Sequence, residues 1–372
     1  MSDDRGATRL GVDVGGTFTD LVAIAGDRLV TAKVPSTPSD QSEGVMASFE
    51  ASGVDAGEVA AFSHGMTVAT NALLERRGAR TALVTTEGFR DVLEIARQNR
   101  PSLYDLTRDR PPALVPRELR FTVKERMGPG GELEPLDETS VEEATRALAE
   151  AEVEAVAVCL VFSFLHPGHE RRVGEALREA LPGVHVSLSS EVLPEFREYE
   201  RFSTAAADAY LAPRLAAYLE SLAGKVEAAG VPAPLVMQSS GGVVALEVAA
   251  GQAAACVLSG PAGGVVGAAY AAAASGYPDV LTFDMGGTST DVAPIIEGEA
   301  QTTTESVVAG VPVKLPMVDV HTVSAGGGSI ARADAGGALR VGPESAGADP
   351  GPAAYGRGGE RPTVTDANLF LG

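Results

Sequence analysis

Asp284-Met-Gly-Gly-Thr-Ser-Thr-Asp291 repeats, at six of eight positions, a string carried near the start of the chain, Asp13-Val-Gly-Gly-Thr-Phe-Thr-Asp20. Each copy follows a short apolar run, Leu10 to Val12 in one and Val280 to Phe283 in the other, and each leads into a second apolar run. The pattern predicts a strand, a tight Gly-Gly turn and a second strand, with the glycines at the positive φ that hairpin turns favour. Bare glycine backbone lets N–H groups approach an anion, and the Thr that follows adds a hydroxyl donor. Gly15, Gly16 and Thr17, and Gly286, Gly287 and Thr288, are therefore suited to cradling phosphate. A carboxylate at the end of the first strand would repel phosphate, so Asp13 and Asp284 make sense as direct or water-mediated ligands of Mg²⁺. One such string is weak evidence, since an acidic hairpin turn explains it as well. Two copies far apart predict duplicated lobes facing each other across a nucleotide.

The paired loops resemble the phosphate loops of the actin and hexokinase superfamily. The fuller strings are Gly11-Val-Asp-Val-Gly-Gly-Thr-Phe-Thr-Asp20, His64-Gly-Met-Thr-Val-Ala-Thr-Asn71, Phe283-Asp-Met-Gly-Gly-Thr-Ser-Thr-Asp-Val292 and Ser324-Ala-Gly-Gly-Gly-Ser-Ile330. Together they look like the hydantoinase A and 5-oxoprolinase family, from about Leu10 to the last residue. The resemblance implies an α/β fold of two ribonuclease-H-like (actin-like ATPase) lobes around a nucleotide cleft. Residues 1–198 would form the lobe with the first phosphate loop. Residues 199–372 would form the hydantoinase A lobe with the second, shorter than in the family. ATP and Mg²⁺ are the implied cofactors. The implied reaction is ATP-dependent opening of a cyclic amide, of hydantoin or 5-oxoproline type, by phosphorylation of the amide oxygen. Family members of this A type pair with a B-type subunit, and a homo-oligomer is also expected. A neighbouring branch uses ATP to carboxylate ketones such as acetone or acetophenone. A non-catalytic actin-like nucleotide-binding module is the reading from a different class.

Composition narrows the partners. At 372 residues the chain can bury two cores, and a formal net charge of −21 disfavours nucleic acid and anionic membrane surfaces. Cys159 and Cys256 lie in apolar runs without metal-ligand spacing, so they read as buried thiols in a reducing cytoplasm. Met-Ser-Asp-Asp-Arg at the start lacks the basic flank and apolar core of an export signal. Between Glu247 and Asp279 there is no charge, but Ser259-Gly-Pro-Ala-Gly-Gly264 interrupts a run of small residues. A buried small-residue helix fits this better than a membrane span.

Further candidates follow along the chain. Residues 9–34 predict a three-strand meander, Thr37-Pro38 a helix start, and Gly53 its end. Met66 to Arg77 reads as a helix closed by Gly78, with His64 at its entry. The resemblance makes His64 a catalytic candidate, with Thr67 and Asn71 as substrate contacts, although a histidine stapling the helix is the bland alternative. Arg97 and Arg100, in the polar loop 97–105, are candidates for anchoring a carboxylate or carbonyl. Solvated surface arginines are the simpler explanation. A capping box at Ser140 predicts a helix, the run Ala155 to Phe162 a buried strand, and residues 168–180 a helix, together an α/β segment with parallel strands. Pro213 predicts a kink or restart in the helix that begins near Phe202. Gly326, Gly327 and Gly328 suit backbone contact with a nucleotide. Asp319 and His321, at period two, would share a strand face and form a catalytic pair, or a structural one.

Overall fold

The two repeated strings form the same hairpin. In the first, strand Thr8–Val14 pairs antiparallel with Phe18–Ala25, placing Asp13 opposite Asp20 and Val14 opposite Thr19. In the second, Val280–Met285 pairs with Thr290–Ile296, placing Asp284 opposite Asp291 and Met285 opposite Thr290. The computed structural model describes residues 7–16, 18–37, 40–347 and 349–372. Thr17 of the first loop and Pro38 of the expected helix start lie outside them.

The first hairpin and strand Arg28–Pro35 form the predicted meander and continue into a six-stranded sheet through Val59–Met66, Leu235–Met237 and Val243–Val244. Residues 235–244 thus complete the sheet that residues 8–35 begin. A second, wholly parallel sheet runs His185–Leu188, Ala155–Cys159, Thr81–Thr86, Arg120–Val123. All five residues of its strand Ala155–Cys159 are buried, as an unbroken apolar run between helices requires. The second hairpin lies in a third sheet, in which Thr290–Ile296 also pairs with Glu299–Ala300 and His321–Val323. The architecture is mixed α/β.

Helix Glu198–Ala228 ties the first two sheets together. Phe202, Ala205, Ala206 and Ala209 belong to the core around the parallel sheet. Leu211, Leu215, Leu219 and Leu222 belong to the core of the six-stranded sheet. Pro213 lies inside this one continuous helix, so of the two expected outcomes the restart does not occur. Packing on both sides outweighs one missing backbone hydrogen bond.

Local punctuation differs from the sequence reading in three places. The first helix, Gln41–Ser52, is capped by Asp40, which accepts the Ser42 N–H, while Gly53 ends it at φ 65° as expected. The helix expected from Ser140 is Glu138–Glu150, capped by Asp137, and Ser140 instead accepts the Lys124 N–H. The helix expected over Met66 to Arg77 spans only Val68–Leu74. Gly78 is not its cap: a Cβ there would come 2.1 Å from the Tyr210 ring, so glycine serves close packing. Cys159 and Cys256 are both buried, and burial raises both thiol pKa values, Cys256 to about 12. Among the described residues no helix is long and apolar enough to cross a membrane.

Candidate functional site

Each hairpin turn closes with one backbone bond, Gly15 N–H to Phe18 O at 3.0 Å and Gly286 N–H to Ser289 O at 2.9 Å. Contrary to the sequence reading, Gly15, Gly286 and Gly287 are not at positive φ. They provide space instead. A Cβ on Gly15 would crowd Phe18 O at 3.1 Å, whereas one on Gly16 or Gly287 would meet nothing within 4 Å. The backbone at Gly16 and Gly287 is therefore open to a ligand, as a phosphate cradle needs.

Asp13 is fitted closely on its other side. A Cβ on Gly65 would lie 2.7 Å from Asp13 Oδ1, and one on Gly260 would lie 3.1 Å from it. Gly65 is the strand partner of Asp13, and Gly260 opens helix Ser259–Ala274. That helix is fixed at its start by two bonds: Leu258 N–H to Thr70 Oγ1 at 2.8 Å and Ser259 Oγ to Met66 O at 3.0 Å. It packs against strands of both the first and the third sheet. Although the Asp13 residue is exposed, the neighbouring protein partly desolvates its carboxyl and raises its pKa, Asp20 and Asp284 raise it further, and Lys33 opposes them. The carboxylates of the two repeats thus lie within electrostatic reach of one another.

A carboxylate whose pKa is raised by neighbouring negative charge, as that of Asp13 is, favours a cation beside it. Among the described residues no group of three or more His, Cys, Asp or Glu could hold a metal ion. Two carboxylates with waters and phosphate oxygens suit Mg²⁺, which seldom needs an all-protein cage. The residues therefore fit Mg²⁺ and a polyphosphate together.

The other candidates are placed less centrally. Gly326, Gly327 and Gly328 pack under the second hairpin: their N–H groups bond Ser329 Oγ, Gly286 O and Gly287 O at 2.8, 2.8 and 2.7 Å. In this structure those donors support the turn rather than face a ligand. Asp319 and His321 are exposed, and no hydrogen bond joins them. Thr67 Oγ1 donates to Val14 O at 3.0 Å and Asn71 Nδ2 to Thr67 Oγ1 at 3.3 Å, so both brace the first hairpin. Arg97 binds both carboxylate oxygens of Glu200 and lines a cavity of about 970 Å³, together with Tyr199, Glu305 and Lys314. No residue of either hairpin lines this cavity. Arg100 is exposed and does not line it.

His64 is fully buried, which corrects its reading as a residue open to substrate. Its Nδ1–H donates to Val12 O at 3.2 Å and its Nε2 accepts from the Tyr218 hydroxyl at 2.6 Å. Burial lowers its pKa from 6.5 to about 4. Such a histidine is protonated more readily in the unfolded chain. Its contribution to stability is therefore complete above pH 6.5 and falls as pH drops toward 4, by about 3 kcal/mol at most. Urea unfolding across this range should show that loss, and His64→Gln should flatten it. An unchanged slope in the variant would place the loss elsewhere.

Lys33 was missed in the sequence reading, and Gly65 and Gly260 lie in quoted strings without a role assigned to them; only the folded chain brings all three to Asp13 or its strand partner. Thr70, read as one of the polar groups at the helix entry, instead holds the start of helix Ser259–Ala274.

Comparison with known proteins now bears on this geometry. The hydantoinase/oxoprolinase N-terminal region matches residues 9–181, and the hydantoinase/oxoprolinase family matches residues 201–372. The chain belongs to the hydantoinase/oxoprolinase family. Caprolactamase subunit alpha of Pseudomonas jessenii is 40% identical over 98% of this chain and 54% of its own length. The crystal structure of ATP-dependent caprolactamase from the same organism superposes with a TM-score of 0.84 at 38% identity, covering 98% of this chain and 54% of that one. A nucleotide-free structure of acetone carboxylase, from work on ATP-dependent acetone carboxylation, gives 0.82 at 30% identity, with 98% and 55% covered. The chain spans about half the length of these family relatives.

Proposed function

We propose that this chain is the A-type subunit of an ATP-dependent cyclic-amide hydrolase, with two actin-like lobes closing on Mg-ATP. The carrying observation is the pair of hairpins with identical register, close enough that the Asp284 charge helps raise the pKa of Asp13. ATP would supply the phosphoryl group that converts an unreactive ring amide into an electrophile with a good leaving group. Gly15, Gly16, Thr17, Gly286, Gly287 and Thr288 would hold the phosphates. Asp13 and Asp284 would position Mg²⁺ and, through it, the reacting oxygens. Asp20 and Asp291 pin the hairpins, and the bracing of the first hairpin by Thr67 and Asn71 would keep its glycines in register. A B-type subunit would complete the enzyme, consistent with the naming of the Pseudomonas jessenii relative as a subunit alpha.

The ketone-carboxylase reading keeps a place because the acetone carboxylase structure superposes almost as well as caprolactamase. Phosphate release separates the readings. With MgATP and a candidate partner subunit, a hydantoin, 5-oxoproline or another lactam should stimulate release without bicarbonate. Release that requires a ketone and bicarbonate would replace the hydrolase with a carboxylase. Nucleotide binding with no substrate-stimulated release would reduce the chain to a binding module.

A further inference from the structure

Three residues stand in one row across the first sheet. Asp13 pairs with Asp20, and Asp20 pairs with Lys33 on the next strand. Directly opposite residues in antiparallel strands project from the same face, so Lys33 shares the face of Asp13, away from the core formed by Val12, Val14 and Leu21. Its Nζ lies 2.5 and 2.6 Å from the two oxygens of Asp20, and 5.0 Å from the centre of the Phe18 ring at the hairpin turn.

The second hairpin carries the same row with a different third member. There Asp284 pairs with Asp291, and Asp291 with Thr322, whose hydroxyl donates to Asp291 Oδ1 at 2.7 Å. A threonine hydroxyl is enough to pin the aspartate of that hairpin. Pinning alone therefore does not require the long, charged lysine of the first copy. The Lys33 side chain is 55% exposed, so moving it uncovers little.

We propose that Lys33 is a phosphate-sensing residue, releasing Asp20 to bind the terminal phosphate when nucleotide enters between the hairpins. A triphosphate is a stronger competitor for an ammonium group than one half-exposed carboxylate, because it offers several charged oxygens. Lys33 thereby links occupancy of the gap to the strand pairing of the first lobe. The assignment rests on the ATP reading.

Calorimetric titration of MgATP and MgADP, using the full chain with any partner subunit it needs, tests it. Lys33→Met should weaken ATP binding roughly 10- to 100-fold, the value of a charge-assisted hydrogen bond, and ADP binding by less than about threefold. Asp20→Asn, which frees the lysine at some cost to the hairpin, should not reproduce the ATP-selective loss: any weakening should be equal for ATP and ADP. If Lys33 only pins the hairpin, the two variants will weaken ATP and ADP alike, and the assignment fails. Unchanged ATP affinity in Lys33→Met, with the unsubstituted protein binding ATP, overturns this inference alone. No ATP binding by the unsubstituted protein overturns the nucleotide reading as well.

Discussion

Asp13→Asn is expected to abolish ATP turnover, by at least about 10³-fold, while leaving the protein as stable as before or more so. Both halves follow from its surroundings. The carboxylate is partly withdrawn from water, with Asp20 and Asp284 nearby, and its pKa is raised as a result. A charged group in that position costs stability, so the neutral amide relieves repulsion and fits almost the same volume. The same change removes the charge that would hold Mg²⁺. Asp284→Asn should behave alike in turnover. Thermal unfolding beside a phosphate-release assay checks the pair. An inactive variant with an intact or raised melting temperature supports a role in chemistry. Retention of more than a tenth of the activity in either variant would remove the paired-carboxylate site.

Where chemistry and local pattern coincided, the sequence was a good guide. The repeated strings gave both hairpins, and the apolar run Ala155 to Cys159 gave a buried parallel strand. The same strings misled on backbone conformation, because a Gly-Gly turn suggests positive φ, yet Gly15, Gly286 and Gly287 do not adopt it, and of the turn glycines only Gly15 is crowded where a side chain would begin. His64 shows a different limit. Its place between a strand and a helix suggests a ligand, but Tyr218, 154 residues away, buries it and takes one ring nitrogen. The glycine triad 326–328 is similar: local sequence shows that the backbone must pass closely by something, and only the fold identifies this as the second hairpin. Helix caps were misassigned by a few residues because Thr37 and Ser140 have the same capping chemistry as the true caps, Asp40 and Asp137.

The glycines of the second hairpin separate contact with ligand from support of the turn. A Cβ on Gly287 would meet no protein atom within 4 Å, and its backbone is not in the region reserved for glycine. Gly287→Ala should therefore change the unfolding free energy by no more than about 0.5 kcal/mol. If phosphate occupies that open space, the added methyl group competes with it, and turnover should fall about 100-fold, mainly through a higher KM for ATP. A Cβ on Gly326, by contrast, would lie 2.7 Å from Gly286 O, Thr288 N and Ser289 N, all backbone atoms that cannot rotate away. Gly326→Ala should cost about 1 to 3 kcal/mol of stability and reduce turnover by displacing the hairpin, with a loss that excess ATP does not restore. Normal ATP kinetics in Gly287→Ala would mean that the open side of the hairpin faces no phosphate. Normal stability in Gly326→Ala would mean that the triad does not support the turn.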